Sequence, residues 1–204
     1  MNRLRANSAS ERSWPICRKK RFLDLLFSIS LFFLLSPLMA SIASMVCATS
    51  EGAAIYWSAR IGRNNRIFKM PKFRTMFEGT PTIATHLLLD PERWVTPIGR
   101  LLRRFSLDEL PQLYSVFKGD MSFVGPRPAL FNQDDLVALR TQKGIHRLVP
   151  GITGWAQING RDELPIPVKV AFDEEYLRRR SLRFDLRILA LTAVRALAGK
   201  GVTH

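Results

Sequence analysis

Two adjacent carboxylates, Asp108 and Glu109, stand in the basic stretch RFSLDELPQLYSVFKGDMSFVGPRP, residues 104–128. A carboxylate is a nucleophile of low basicity that also leaves easily, which suits attack on a phosphoanhydride. Such a reaction calls for a divalent cation shared between carboxylate and phosphate oxygens. It also calls for arginines, whose guanidinium groups hold phosphate oxygens in pairs. Arg103, Arg104, Lys118, Asp120 and Arg127 crowd the same span. Pro126 and Pro128 bracket Arg127, and each proline fixes its own φ and restricts the residue before it. The arginine so presented loses less entropy when it binds. A plainer reading exists: Ser106 and Glu109 form a capping box, and the two acids merely complement a helix dipole. Pro111, about five positions into that helix, speaks against it.

The 204 residues make one domain with a real core. Lys and Arg number 31 against 17 Asp and Glu, a formal charge of +14. That excess predicts an anionic partner: nucleic acid, an acidic membrane surface or phosphorylated substrates. Cys17 and Cys47 have neither metal-ligand spacing nor a disulfide framework.

Leu25 to Ala48, LLFSISLFFLLSPLMASIASMVCA, is 24 residues without a charge, above the ~20 that cross a bilayer as a helix. It is too long and too late in the chain for a cleaved signal peptide. Arg18, Lys19, Lys20 and Arg21 precede it; Arg60, Arg63, Arg66, Lys69, Lys72 and Arg74 come after. Positive charge marks the cytoplasmic side, and here it stands at both ends. Ser36-Pro37 lies mid-run, where proline kinks a helix and a neighbouring hydroxyl re-satisfies the backbone. The pattern favours a helix that enters the bilayer, bends and returns; a simple kinked spanning helix is the alternative. Asp24 would sit at interface depth beside the basic cluster.

The acids must be positioned by the elements around them. GAAIYW predicts a short strand, ARIGRNN a turn, and RIFKMPKFRTM a basic strand or loop beside headgroups or a bound phosphate, with an edge strand blunted by charge as the alternative. Residues 78–96 read as a loop with a short helix around THLLLDPERW. Ile98 to Phe105 is a short basic amphipathic helix suited to a membrane interface, with a plain surface helix as the alternative. PGITGWAQINGR, residues 150–161, reads as a turn-rich loop whose amides could line an anion, with Trp155 facing a base or the interface and Arg161 on phosphate; a glycine-rich connection with Trp155 in the core is the alternative. Val168 to Arg180 and Leu182 to Ala198 are helices, the second amphipathic and ended by Gly199 and Gly201. Residues 1–13 are polar enough to be disordered.

KRFLDLL, mid-membrane Ser36-Pro37, FKMPKFRTM, RRFSLDELPQL, KGDMSFVGPRP, PGITGWAQINGR and FDLRILALTAVRAL occur in that order. Together they resemble the bacterial sugar transferases, the monotopic phosphoglycosyl transferases, from about Arg18 onward. The resemblance implies an α+β fold, mostly helical, with a re-entrant N-terminal membrane helix, interfacial amphipathic helices and a small β element. It implies residues 1–17 as a polar extension, 18–50 as the re-entrant helix kinked at Ser36 and Pro37, and 51–204 as the catalytic domain on the cytoplasmic face of the inner membrane. The expected form is the small one, without the multi-spanning N-terminal domain of larger members. The implied reaction moves a sugar-1-phosphate from a UDP-sugar to undecaprenyl phosphate with Mg²⁺, through a covalent intermediate. Asp108 would be the nucleophile and a Mg²⁺ ligand, and Glu109 its partner. Lys72, Arg74, Arg103, Arg127 and Arg161 would bind substrate. Ser58 stands near a position where the family often has Gln. The sugar and the oligomeric state stay open. A membrane-attached nucleic-acid binder explains the charge but not SLDEL with GPRP after it, and no nucleic-acid motif occurs; a non-catalytic scaffold and a lipid-independent hydrolase are the other rivals.

Overall fold

The computed structural model describes residues 15–81, 90–160 and 164–197. A 35-residue helix, α1 (Pro15–Thr49), leads. Next come a hairpin of β1 (Ile55–Ile61) and β2 (Ile67–Phe73), then α2 (Pro91–Trp94), α3 (Pro97–Arg104) and a tight turn at Leu107–Glu109. The chain continues through α4 (Gln112–Lys118), β3 (Ser122–Val124), α5 (Asp134–Gln142), β4 (Gly151–Thr153), α6 (Trp155–Asn159), α7 (Ile166–Arg179) and α8 (Leu182–Leu197). The expectation of a mostly helical α+β chain with little sheet holds. The β content is two separate pairs, not one element.

α1 handles its own polar groups. Pro37 has no N–H, so the carbonyl of Phe33 lacks its usual helical donor; the Ser36 hydroxyl donates to it instead, at 2.8 Å. Ser41, Ser44 and Thr49 likewise donate to carbonyls one turn back. Both ends of α1 dock on the same body. At the start, Arg21 donates to the carbonyls of Val116 and Phe117 at 2.5 and 2.6 Å. Near the end, Ile42 and Val46 are buried with Phe73 and Leu102. Between them Phe33 and Leu34 are each 73% exposed.

β1 and β2 pair antiparallel from Ile55 opposite Phe73 to Ile61 opposite Ile67. Asn64 and Asn65 make the turn at φ 55° and 58°, a left-handed conformation that asparagine tolerates. Strand geometry thus runs through residues 59–61, and the turn is shorter than ARIGRNN suggests. Pro71 lies in β2, which pairs with β1 alone, and such an edge strand permits a proline.

β3 and β4 pair in parallel, Ser122 with Gly151 and Val124 with Thr153. PGITGWAQINGR is therefore largely a strand and a short helix. The Gly125 amide donates to Thr153 and the Gly151 amide to Pro126, so these amides bind backbone carbonyls and not an anion. A Cβ on Gly125 would fall 2.4 Å from the carbonyl oxygen of Val149, so glycine is required by the crowding of the two strands. Trp155 donates its indole N–H to Glu175 at 2.7 Å and packs on Phe184; the core reading of this residue is the better one.

Val124, Ile158, Tyr176, Phe184 and Ile188 form one apolar cluster, and Ala129, Leu136, Ile145 and Val170 another. Beside the second runs a buried ion pair. Arg140 of α5 donates from Nε and Nη2 to Asp173 of α7 at 2.9 and 2.6 Å, and Asp173 is 1% exposed. Removing one partner strands a buried charge, which costs about 3–5 kcal/mol. Asp173→Ala should lose about that much stability, read as a lower unfolding midpoint in detergent; an unchanged midpoint would show that α5 and α7 hold without the pair.

Candidate active site

The acids sit where two helices fail to join. α3 starts with Thr96, whose hydroxyl accepts the Gly99 amide at 3.0 Å, and ends at Arg104. Ser106 then adopts φ 55°, ψ 23° and makes no side-chain cap bond. The capping-box reading is thereby set aside. Pro111 cannot sit inside a helix begun at Ser106, so α4 starts after it. Leu107–Glu109 becomes an isolated turn. Leu107 and Leu110 pack against the cluster of Ile42, Val46, Phe73 and Leu102. Anchored on both sides, the turn holds Asp108 at 8% exposure.

Lys72 comes from β2. Its ammonium lies 3.0 Å from Glu109 Oε1 and 4.0 Å from Asp108 Oδ2. Arg127, from the Pro-Arg-Pro segment, places Nη2 3.2 Å from the same Glu109 oxygen. Burial opposes the charge on Glu109, but Lys72 and Arg127 outweigh it and hold its carboxyl well below the usual carboxylate range. Arg103 donates from Nε to Thr75 Oγ1 at 2.9 Å. Burial pulls its pKa below the usual arginine value while Asp108 pushes it back; it stays charged at neutral pH. Gly99 makes this approach possible, since a Cβ there would fall 2.2 Å from the Thr75 carbonyl oxygen. Three cations thus face two carboxylates, a balance that favours an added anion.

The other expected residues distribute differently. Arg74 donates to the carbonyl and hydroxyl of Ser50, both at 3.1 Å, and to Glu78; these bonds tie the end of α1 to β2 and involve neither acid. Arg161 and residues 82–89 lie outside the described residues. Two residues of this neighbourhood are absent from the expected set. Arg140 donates from Nη1 to the Arg127 carbonyl at 2.8 Å, and Asp173 holds Arg140. The sequence does carry a trace of this: Asp173 falls on the buried face of α7 between Val170 and Tyr176, an odd place for a carboxylate without a partner.

The family model for bacterial sugar transferases matches residues 16–199. The chain belongs to the bacterial sugar transferases. Among relatives, the Bacillus subtilis protein named uncharacterized sugar transferase EpsL is 38% identical over 185 residues, covering 90% of this chain and 89% of its own. The Escherichia coli UDP-glucose:undecaprenyl-phosphate glucose-1-phosphate transferase is 38% identical over 190 residues, 89% of this chain but 40% of its own length. The Salmonella typhimurium undecaprenyl-phosphate galactose phosphotransferase is 36% identical over 190 residues, 85% of this chain and 39% of its own. The chain thus spans about two fifths of these larger relatives. The expectation of a sugar transferase is met.

In this sugar transferase the depressed Glu109 pKa links the site to stability. A carboxyl whose folded pKa lies below its usual 4.5 contributes stability above that pH and loses it as the pH falls toward the folded value. Glu109→Gln should therefore be less stable than the native protein by a gap that is full at about pH 7 and narrows below about pH 4.5. Unfolding curves of both proteins across that range check it; a gap constant with pH would contradict the charge balance.

Proposed function

We propose that the protein transfers a sugar-1-phosphate from a UDP-sugar to undecaprenyl phosphate, releasing UMP. The observation that carries this is the Asp108–Glu109 turn faced by Lys72, Arg103 and Arg127, in a chain whose relatives carry undecaprenyl-phosphate in their names. In the first step an Asp108 carboxylate oxygen attacks the β-phosphorus. The Oδ–P bond forms, the P–O bond to the α-phosphate breaks, and UMP leaves with the electron pair. In the second, a phosphate oxygen of the lipid attacks the same phosphorus and displaces the carboxylate. Arg127 and Arg103 hold phosphate oxygens bidentately. Lys72 stays between the acids and offsets charge as it develops. Glu109, kept ionised by Lys72 and Arg127, orients both cations.

Mg²⁺ binds through one or two carboxylates plus substrate oxygens and waters. Among the described residues no group of three or more His, Cys, Asp or Glu gathers, which suits an ion shared with substrate over one enclosed by protein. Asp108 and the diphosphate oxygens fit that set, and the ion would draw off charge as the P–O bond breaks.

The proposed setting is the cytoplasmic face of the inner membrane, with α1 re-entrant. Three features support it. α1 contains an apolar stretch long enough to cross; its bare middle is flanked by basic residues on both sides; and both of its ends dock on one body. A straight helix from Arg21 to Ile42 would run about 30 Å. Yet α4, which Arg21 caps, and Leu110, which packs in the cluster of Ile42, are neighbours in the chain. α3 and α8 carry Leu101 and Leu186 outward at 49% and 58% exposure, as interfacial helices do.

Lipid-dependent UMP release from a panel of UDP-sugars, with the enzyme in nanodiscs and Mg²⁺ present, tests the reaction. Asp108→Asn should lower turnover by at least about a thousandfold and abolish the donor-derived mass increase on the native chain without lipid. Native-like turnover in Asp108→Asn would sink the nucleophile, and release indifferent to lipid would favour a hydrolase. For the anchor, cysteines placed at Arg18 and Glu51 in a chain otherwise free of cysteine should both label from the cytoplasmic side. In Pro37→Ala, where nothing breaks the helix, the two should label from opposite sides.

A further inference from the structure

The basic residues before a membrane segment are ordinarily read as a topology signal, for which charge alone suffices. Lys20 and Asp24 have a more particular arrangement. They lie four residues apart on one face of α1. The Asp24 carboxylate, in a residue 7% exposed, accepts the backbone N–H of Phe123 at 3.2 Å. The Lys20 ammonium donates to the Val124 carbonyl at 2.9 Å, to Asp185 at 2.5 Å and to the Tyr176 hydroxyl at 3.3 Å. Its three donors meet three acceptors, where a lysine serving only headgroups would need none. Burial, with Asp185 adding to it, raises the Tyr176 pKa far above its ordinary value, so the phenol stays protonated and donates to Asp185 at 2.8 Å. Asp24 thus accepts a hydrogen bond from β3 while its own neighbour in the basic cluster, Lys20, pairs with α8.

β3 matters because it leads directly into the Pro-Arg-Pro segment. From Val124 the chain passes through Gly125 and Pro126 to Arg127. The Gly125 amide is fixed to Thr153, Pro126 has a locked φ, and the Arg127 carbonyl is fixed to Arg140. A shift of β3 therefore carries Arg127 with it, and Arg127 meets Glu109 at 3.2 Å.

We propose that Lys20 and Asp24 are positioning residues for the reaction: from the first turns of the anchor helix they hold β3 and so set where Arg127 meets Glu109. This rests on the assignment of Arg127 to phosphate binding. The anchor would then be part of the active-site framework, and turnover would depend on how its entry turn is seated.

The test is a double-mutant cycle in nanodiscs, each variant first shown to stay with the membrane. Asp24→Leu and Lys20→Met should each lower turnover about ten- to a hundredfold. Asp24→Asn keeps an acceptor for Phe123 and should stay within about threefold of the native rate. Arg127→Ala combined with Asp24→Leu should lose no more than about threefold beyond Arg127→Ala alone, because both act through one group. Losses that multiply would overturn the proposal. Hydrogen exchange gives a readout without turnover: the Gly125 amide, which does not touch Asp24, should exchange about tenfold faster in Asp24→Leu and normally in Asp24→Asn. An unchanged Gly125 amide in Asp24→Leu overturns the positioning role whatever the donor. A loosened Gly125 amide alongside full activity of Arg127→Ala upholds the hold on β3 and overturns the assignment of Arg127.

Discussion

The carboxylate of Glu109, mostly buried and shared by two cations, is the interaction on which the site depends. It joins three segments: β2 through Lys72, the Leu107–Glu109 turn, and the Pro-Arg-Pro segment through Arg127. A carboxylate in that position without partners would protonate, because desolvation penalises its charge. With them it stays ionised, and the cations stay oriented toward Asp108. Both cations must then be delivered by rigid supports. β2 is braced by β1, and Arg127 by its prolines and by the Arg140–Asp173 pair. Even Ser106, at φ 55°, depends on such support. A non-glycine residue there costs about 1–2 kcal/mol, and the packing of Leu107 and Leu110 must sustain it.

How much of this is legible in the chain depends on how near the partners lie. Asp108, Glu109 and the bracketed Arg127 are neighbours within about twenty residues and stand out by type alone. Lys72 is legible because a basic residue inside an alternating strand has to point somewhere. Arg74, two residues on, should by strand periodicity share its face; β2 ends at Phe73, so the periodicity no longer applies and Arg74 turns to Ser50. The capped helix at Ser106 fails against Pro111, a breaker visible in the same stretch. Asp173 and Arg140 escape notice because their meaning lies in a pairing 33 residues apart. Lys20 reads as a charge signal because its acceptors are 104 and 165 residues away. The glycines of PGITG suggest a phosphate loop, whereas tight strand contact demands glycine equally well.

The large positive balance also has two sources. Some of it, such as Arg100 and Lys118, is exposed and paired with nearby acids, where ion pairs contribute little to stability. Other cations point inward: Lys20, Arg21, Arg74 and Arg140 direct their donors to carbonyls and carboxylates within the fold. Net charge alone therefore overstates how much of the basic surface faces an anionic partner. The cations at the dyad are few, and their effect comes from burial, where screening by salt is weak.

The long reach of Lys20 has a consequence for synthesis. α1 leaves the ribosome before the elements it docks on, and its lysine meets Val124 only after 104 more residues and Asp185 after 165. At ~5–20 residues per second that is roughly five to thirty seconds. During this interval the anchor is an apolar helix with an ammonium and a carboxylate at its mouth and no native partner for either. In the proposed re-entrant setting, headgroups and water would serve as stand-ins. The bilayer would then act as a template that holds α1 while the later elements arrive and displace those stand-ins, and folding would be completed against the membrane surface.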